Sequence, residues 1–324
     1  LAVPKGIADH YGELLAAGKF PPCHHIIPQL QRLTLHSWLA ALQTERLESK
    51  TEAVARRVEQ AKGSWEDAFF ITLARNFGFG VNGDAFERWA ANVPLRCVDH
   101  HRDNAFQIEA LFMGQAGLLN DAAIPTRHRN AATAESYFGL LKKEYAYLAH
   151  KFNLQPLDPS LWLFLRLRPQ NFPHIRLSQL AVLHHSRRAS LANIVACENL
   201  TQLRKALATQ VSGYWQTHYV FGGESKASDK ALSTGSRDVL ILNTVVPVLF
   251  AYGRHRHNDV LCDRAYQLLD ELKAEDNHIV RMWKACGLEV NNAGDTQALI
   301  QLKNEYCDCK NCLRCRIGYE YLRR

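Results

Sequence analysis

The sequence lacks any run of roughly 18 uncharged apolar residues, so nothing in it reads as a membrane span. The nearest stretch, Val239 to Tyr252, contains Asn243, Thr244 and Pro247 and reads as a buried helix. A charged-then-apolar opening segment is missing too, which removes a secretory signal. The first residues, Leu1-Ala2-Val3-Pro4-Lys5-Gly6, include no initiator Met and read as a fragment's beginning. No Gly-rich phosphate loop, nucleophile elbow or zinc-protease helix occurs, so the commonest motif-bearing enzyme classes find no support. No fixed-period repeat is present, which argues against a solenoid. One local absence is sharp: between Pro159 and Cys197 there is no Asp or Glu.

What is present suits a globular protein. The chain has 324 residues, 47% of them hydrophobic and 22% charged, enough for two domains or one large one. Helical periodicity dominates. From Ile26 to Ala61, apolar residues fall mostly at steps of three and four, which predicts a long amphipathic helix. Ser64 with Asp67 predicts a capped start to a helix over 65–77, ended by Gly78-Phe79-Gly80. Further helices are expected over 106–119, 131–152, 161–168, 177–185, 200–208, 238–252, 259–272, 278–286 and 296–306. Residues 211–221, aromatic and β-branched, are the one plausible extended piece, and 222–236 reads as a flexible exposed loop. The expected fold class is all-α: an irregular multi-helix assembly with a Cys-rich C-terminal tail and little or no sheet. A soft boundary at Pro125 and Arg127-His128-Arg129 divides it into 1–125 and 126–324, unless the two run on as one domain.

Nine cysteines without an export signal point to a reducing, cytoplasmic setting, where clustered Cys means metal more often than disulfide. Cys23, Cys97, Cys197 and Cys262 are scattered and read as small buried hydrophobes. Cys307, Cys309, Cys312 and Cys315 crowd nine residues. Thiolates that share an ion must converge on it at about 2.3 Å. The Cys307-x4-Cys312-x2-Cys315 spacing is also used by plant-type iron–sulfur proteins, whose fourth Cys lies downstream. Here the fourth must come from upstream. Cys286 is the candidate and Cys309 the spare, giving Cys286, Cys307, Cys312 and Cys315 as the expected metal set. Spacing does not choose between zinc and an iron–sulfur cluster.

The net charge is +7. The acid-free stretch holds Arg166, Arg168, Arg176, Arg187 and Arg188 with His174, His184 and His185. Within it, Pro169 and Pro173 fix the turns, so that Arg166, Arg168, Arg176 and the Asn171 amide make a preset anion or nucleic-acid site. Against this, Arg residues near helix ends often pair internally. Glu109 and Glu144 sit in apolar helices and read as structurally paired acids.

Four stretches carry a resemblance: Phe106-Gln107-Ile108-Glu109-Ala110-Leu111-Phe112-Met113-Gly114-Gln115-Ala116-Gly117, Leu165-Arg166-Leu167-Arg168-Pro169-Gln170-Asn171-Phe172-Pro173, Asn243-Thr244-Val245-Val246-Pro247, and Cys312-Leu313-Arg314-Cys315-Arg316-Ile317-Gly318-Tyr319-Glu320. Together they resemble a family of uncharacterised bacterial proteins, domain of unknown function 2851. The resemblance implies no established activity. It implies an additional amino-terminal segment similar to nuclease cores, whose acid and Lys constellation is not found in this sequence. It places Cys307, Cys312 and Cys315 at the family's tail cysteines, with Cys309 an addition.

Three functions are expected in order. The first is a helical, metal-stapled module that binds nucleic acid beside a nuclease-like domain. The second is a structural or protein-interaction scaffold whose basic stretch pairs internally. The third is an enzyme on a small anionic substrate, with Glu109 or His174 in a pocket. No catalytic residue is assigned, and no membrane partner is implied.

Overall fold

The structure is a computed structural model that describes residues 5–18 and 20–323. Leu1 to Pro4 and Arg324, named above, lie outside the described residues. Seventeen α-helices and one two-stranded antiparallel sheet, His218–Val220 with Gly223–Glu224, are present among them. The chain is all-α, as its periodicity predicts.

Two compact units form, and one is discontinuous: Leu1–Ala53 with Leu249–Arg324, and Val54–Val248. The interruption at Pro125 falls inside the second.

In the Val54–Val248 unit, the helix Ala105–Gln115 lies at the centre, with every residue from Ile108 to Gln115 buried. Helices Ser136–Phe152 and Pro173–His185 pack on it. Its glycines set the spacing. A Cβ on Gly114 would stand 2.1 Å from the Tyr145 ring, and Gly117, at φ +72°, faces the Leu157 carbonyl at a similar distance. Ser64 caps Trp65–Phe77 by accepting from the Asp67 amide at 3.2 Å, as expected.

Three expectations fail here for tertiary reasons. The helix over 131–152 is two, Thr126–Ala134 and Ser136–Phe152. Glu135 between them is extended, its carboxylate accepting from the Tyr214 hydroxyl. No helix forms over 161–168. Asn82 instead clamps Leu163, donating to its carbonyl and accepting from its amide, each at 2.8 Å. The segment 222–236 is an ordered strap. Leu232 and Lys230 are buried, and Lys230 Nζ donates to the carbonyls of Trp215 (2.5 Å) and Gln216 (2.8 Å). Gln179 Nε2 donates to the Lys230 carbonyl at 2.7 Å.

The helical run Thr234–Arg256 is long and apolar enough to cross a membrane by length and composition, yet 61% of its apolar window is buried, as in a core helix. It contains a π-bulge over Ile241–Val245. Pro247 has no N–H to offer the Asn243 carbonyl one turn earlier. Asn76 Nδ2 donates to that carbonyl and to Thr244 Oγ1, both at 3.0 Å.

The discontinuous unit is built round Ile26, Ile27, Leu39, Leu42, Trp283, Leu299 and Leu302. The expected long helix near its start is a 3₁₀ turn, His24–Gln29, and then the helix Arg32–Gln60. The extended Leu30 separates the two.

Candidate functional site

Cys307, Cys312 and Cys315 come together with Cys23, which sequence reasoning had placed among the structural cysteines. All four line one cavity of about 230 Å³, walled by Leu14, Phe20 and Tyr306. Cys23 arrives on the turn before His24–Gln29. The helix Ala293–Gln301 continues as a π-helix, Leu302–Cys307, and so delivers Cys307. Cys312 opens a 3₁₀ turn, and Cys315 precedes Arg316–Leu322. Gly318 holds the last two together: a Cβ there would sit 2.3 Å from the Cys312 carbonyl oxygen.

All four are free thiols. Burial pushes the Cys23 thiol up to about 12, with the neighbouring sulfurs of Cys315 and Cys312 adding to it. The Cys307 thiol is raised by burial and then by Cys23, Cys315 and Cys312. For Cys312 and Cys315 burial again raises the value, while the amides of Gly318 and Ile317 draw Cys315 back. Cys286 packs on the same core, and its charge acts on Cys23, but it does not line the cavity. Cys309 is exposed, its Sγ donating to the Asn304 carbonyl at 3.2 Å. Among the described residues, no three His, Cys, Asp or Glu side chains are grouped as a single-ion site requires.

The basic stretch divides. Arg176 is buried at 6% exposure, its guanidinium donating to Gln179 Oε1 (2.8 Å) and Asn171 Oδ1 (2.6 Å) over the Phe79 ring. Burial pulls its pKa down to about 10. Arg176 thus holds Asn171 in place from below. Arg166 and Arg168 are exposed, on a loop fixed by the Asn82 clamp and by Trp162, whose Nε1 donates to the Ala116 carbonyl at 2.8 Å. Arg166 has φ +63°, a left-handed conformation that costs an ordinary side chain about 1 kcal/mol. Neither guanidinium pairs with an acid among the described residues. Leu163 and Leu165 beside them are 53% and 83% exposed. Arg188 is used internally, donating to the Ala208 carbonyl at 2.7 Å.

Glu109 and His174 are sealed inside. The Glu109 carboxylate accepts from Tyr137 Oη at 2.7 Å and from Trp215 Nε1, and burial raises its pKa against those donors. His174 lies among Phe164, Trp215 and Phe221, and burial lowers it to about 3. Neither lines a cleft of about 410 Å³ that sequence reasoning missed. Arg96, Arg102 and Arg187 border that cleft with Glu66 and an Asp99–His184 pair at 3.2 Å. Its lining runs from Ser64 to Ser190, so no local pattern announces it.

The family described as "Protein of unknown function (DUF2851)" matches residues 1–278. The chain belongs to the DUF2851 family. The matched span includes the Arg166 loop, the Glu109 helix and Cys23, and it ends before Cys286 and the tail cysteines. This DUF2851 chain matches no curated protein and no solved structure.

Proposed function

We propose that the Val54–Val248 unit of this DUF2851 protein binds nucleic acid through the Leu163–Pro169 loop. The observation that carries this reading is Arg166: exposed, left-handed, on a clamped loop, without an acid partner. A strained backbone at a fixed surface position is a recurrent mark of a working site. Arg168 follows two residues later, and the exposed Leu165 gives an unstacked base an apolar surface. Charge agrees. The unit has 22 Lys and Arg against 16 Asp and Glu, a net +6 of the chain's +7. A phosphate backbone answers that balance. The expected partner is single-stranded nucleic acid beside a nuclease-like domain, as the family resemblance implies, in a bacterial cytoplasm.

The test is fluorescence anisotropy of a labelled single-stranded oligonucleotide at low salt. The Arg166→Ala/Arg168→Ala variant weakens binding about tenfold with an unchanged melting temperature. Wild-type protein that binds neither DNA nor RNA at low salt contradicts the reading.

A second reading, an enzyme on a small anionic substrate, is favoured by one observation. Arg96, Arg102 and Arg187 line the 410 Å³ cleft together with Glu66, Asp67 and the Asp99–His184 pair. Thermal shift with inorganic phosphate and with simple carboxylates separates it, since an anion held there stabilises the fold and an Arg102→Ala variant loses the shift.

A further inference from the structure

The cysteine cavity has a size and a lining that distinguish among metals. Four sulfurs on one zinc ion, each about 2.3 Å from it, would stand within about 3.8 Å of one another. The described side chains form no such single-ion group. Instead the four thiols border a space of about 230 Å³, several times the roughly 30 Å³ that one water occupies. An iron–sulfur core is larger than a single ion and is ligated by the protein only at its corners. Four Cys thiolates are the common ligand set for such cores.

The surroundings agree. Leu14, Leu15, Phe20 and Pro22 wall the cavity with apolar groups, and no carboxylate lines it. Lys310, also on the lining, supplies a positive charge beside a core whose thiolates are negative. The tail has no other evident reason to bring three thiols inward, since Cys309, two residues from Cys307, turns outward.

We propose that Cys23, Cys307, Cys312 and Cys315 ligate an iron–sulfur cluster in this cavity. Cys23 is the upstream ligand in place of Cys286. The cluster forms from ferrous and ferric iron with sulfide, so no separate oxidant is needed, and each thiol releases one proton as its Fe–S bond forms. It ties the segment before His24 to the last turns of the chain, which meet nowhere in sequence.

The chain is purified without oxygen with its thiols reduced, incubated with ferrous and ferric iron and sulfide, and desalted. Iron, zinc and acid-labile sulfide are measured per chain, with the visible spectrum. The expected result is iron and sulfide in equal amounts, more than one of each, with a visible absorption that bleaches on reduction. Zinc at one per chain without sulfide, or a chain that takes up no iron, overturns the proposal. Cys23→Ser is expected to lose most of the iron. Should that variant not fold, Cys286→Ala/Cys309→Ala decides. Unchanged iron and sulfide leave Cys23 as the fourth ligand, and loss of the cluster overturns its assignment.

Discussion

His174 carries a neutral imidazole into a ring of aromatic side chains, and its Nδ1 has no hydrogen-bond partner among the described residues. Burial lowers its pKa from the ordinary 6.5 to about 3. The sign follows. Below about pH 6.5 the unfolded chain takes up a proton that the folded chain refuses until about pH 3, so stability falls as pH falls through that window. The slope from this group approaches about 1.4 kcal/mol per pH unit. His174→Phe is expected to flatten the urea-measured stability profile between pH 6 and 4. A profile as steep as wild type would show that the imidazole is not buried neutral. Glu109 has a different role. Tyr137 and Trp215 both donate to it, so Glu109→Leu leaves two buried donors unpaired. A loss of about 3 kcal/mol is expected from urea unfolding. A loss under about 1 kcal/mol would mean that the carboxylate is not the partner those donors depend on.

Elements follow local sequence until a distant group competes for them. Ser64 marks a helix start with its own side chain, and that start is legible; Asn104 and Asn277 cap the helices expected from 106 and 278 in the same way, which only the structure shows. The break at Glu135 is not, because Tyr214 is 79 residues away. The strap over 222–236 has the composition of a loose loop, and it is ordered by the buried Lys230 ammonium seated on two carbonyls, by the Gln179 bond to the Lys230 carbonyl and by buried Leu232. Lys230→Met removes the ammonium's bonds. Hydrogen exchange is expected to speed up at least tenfold in Gly222 to Ser233, while Pro173–His185 keeps its protection. Unchanged exchange would mean that Leu232 packing and the Gln179 bond hold the strap without the ammonium. Two π-bulges were likewise beyond periodicity. One sits where Pro247 frees a carbonyl, the other where the chain must turn Cys307 inward. The three tail cysteines were legible from their spacing. Cys23 was not, because it stands alone in sequence and looks like any buried hydrophobe.

The whole molecule divides its chemistry between its two units. One gathers thiols around an apolar cavity, and the other carries nearly all of the net positive charge. Of the residues expected to meet an anion, Arg166 and Arg168 face solvent, whereas Arg176 reaches solvent little and holds Asn171 instead. Sequence supplied the basic stretch but could not divide it, since the Phe79 ring under the Arg176 guanidinium comes from a distant part of the sequence. The most direct test is the salt dependence of oligonucleotide binding. The logarithm of the binding constant is expected to fall linearly with the logarithm of salt concentration. The Arg166→Ala/Arg168→Ala variant should have a slope shallower by about 1.4, the share of two phosphate contacts on a single strand. A wild-type slope near zero, or one that the double variant leaves unchanged, would contradict the account.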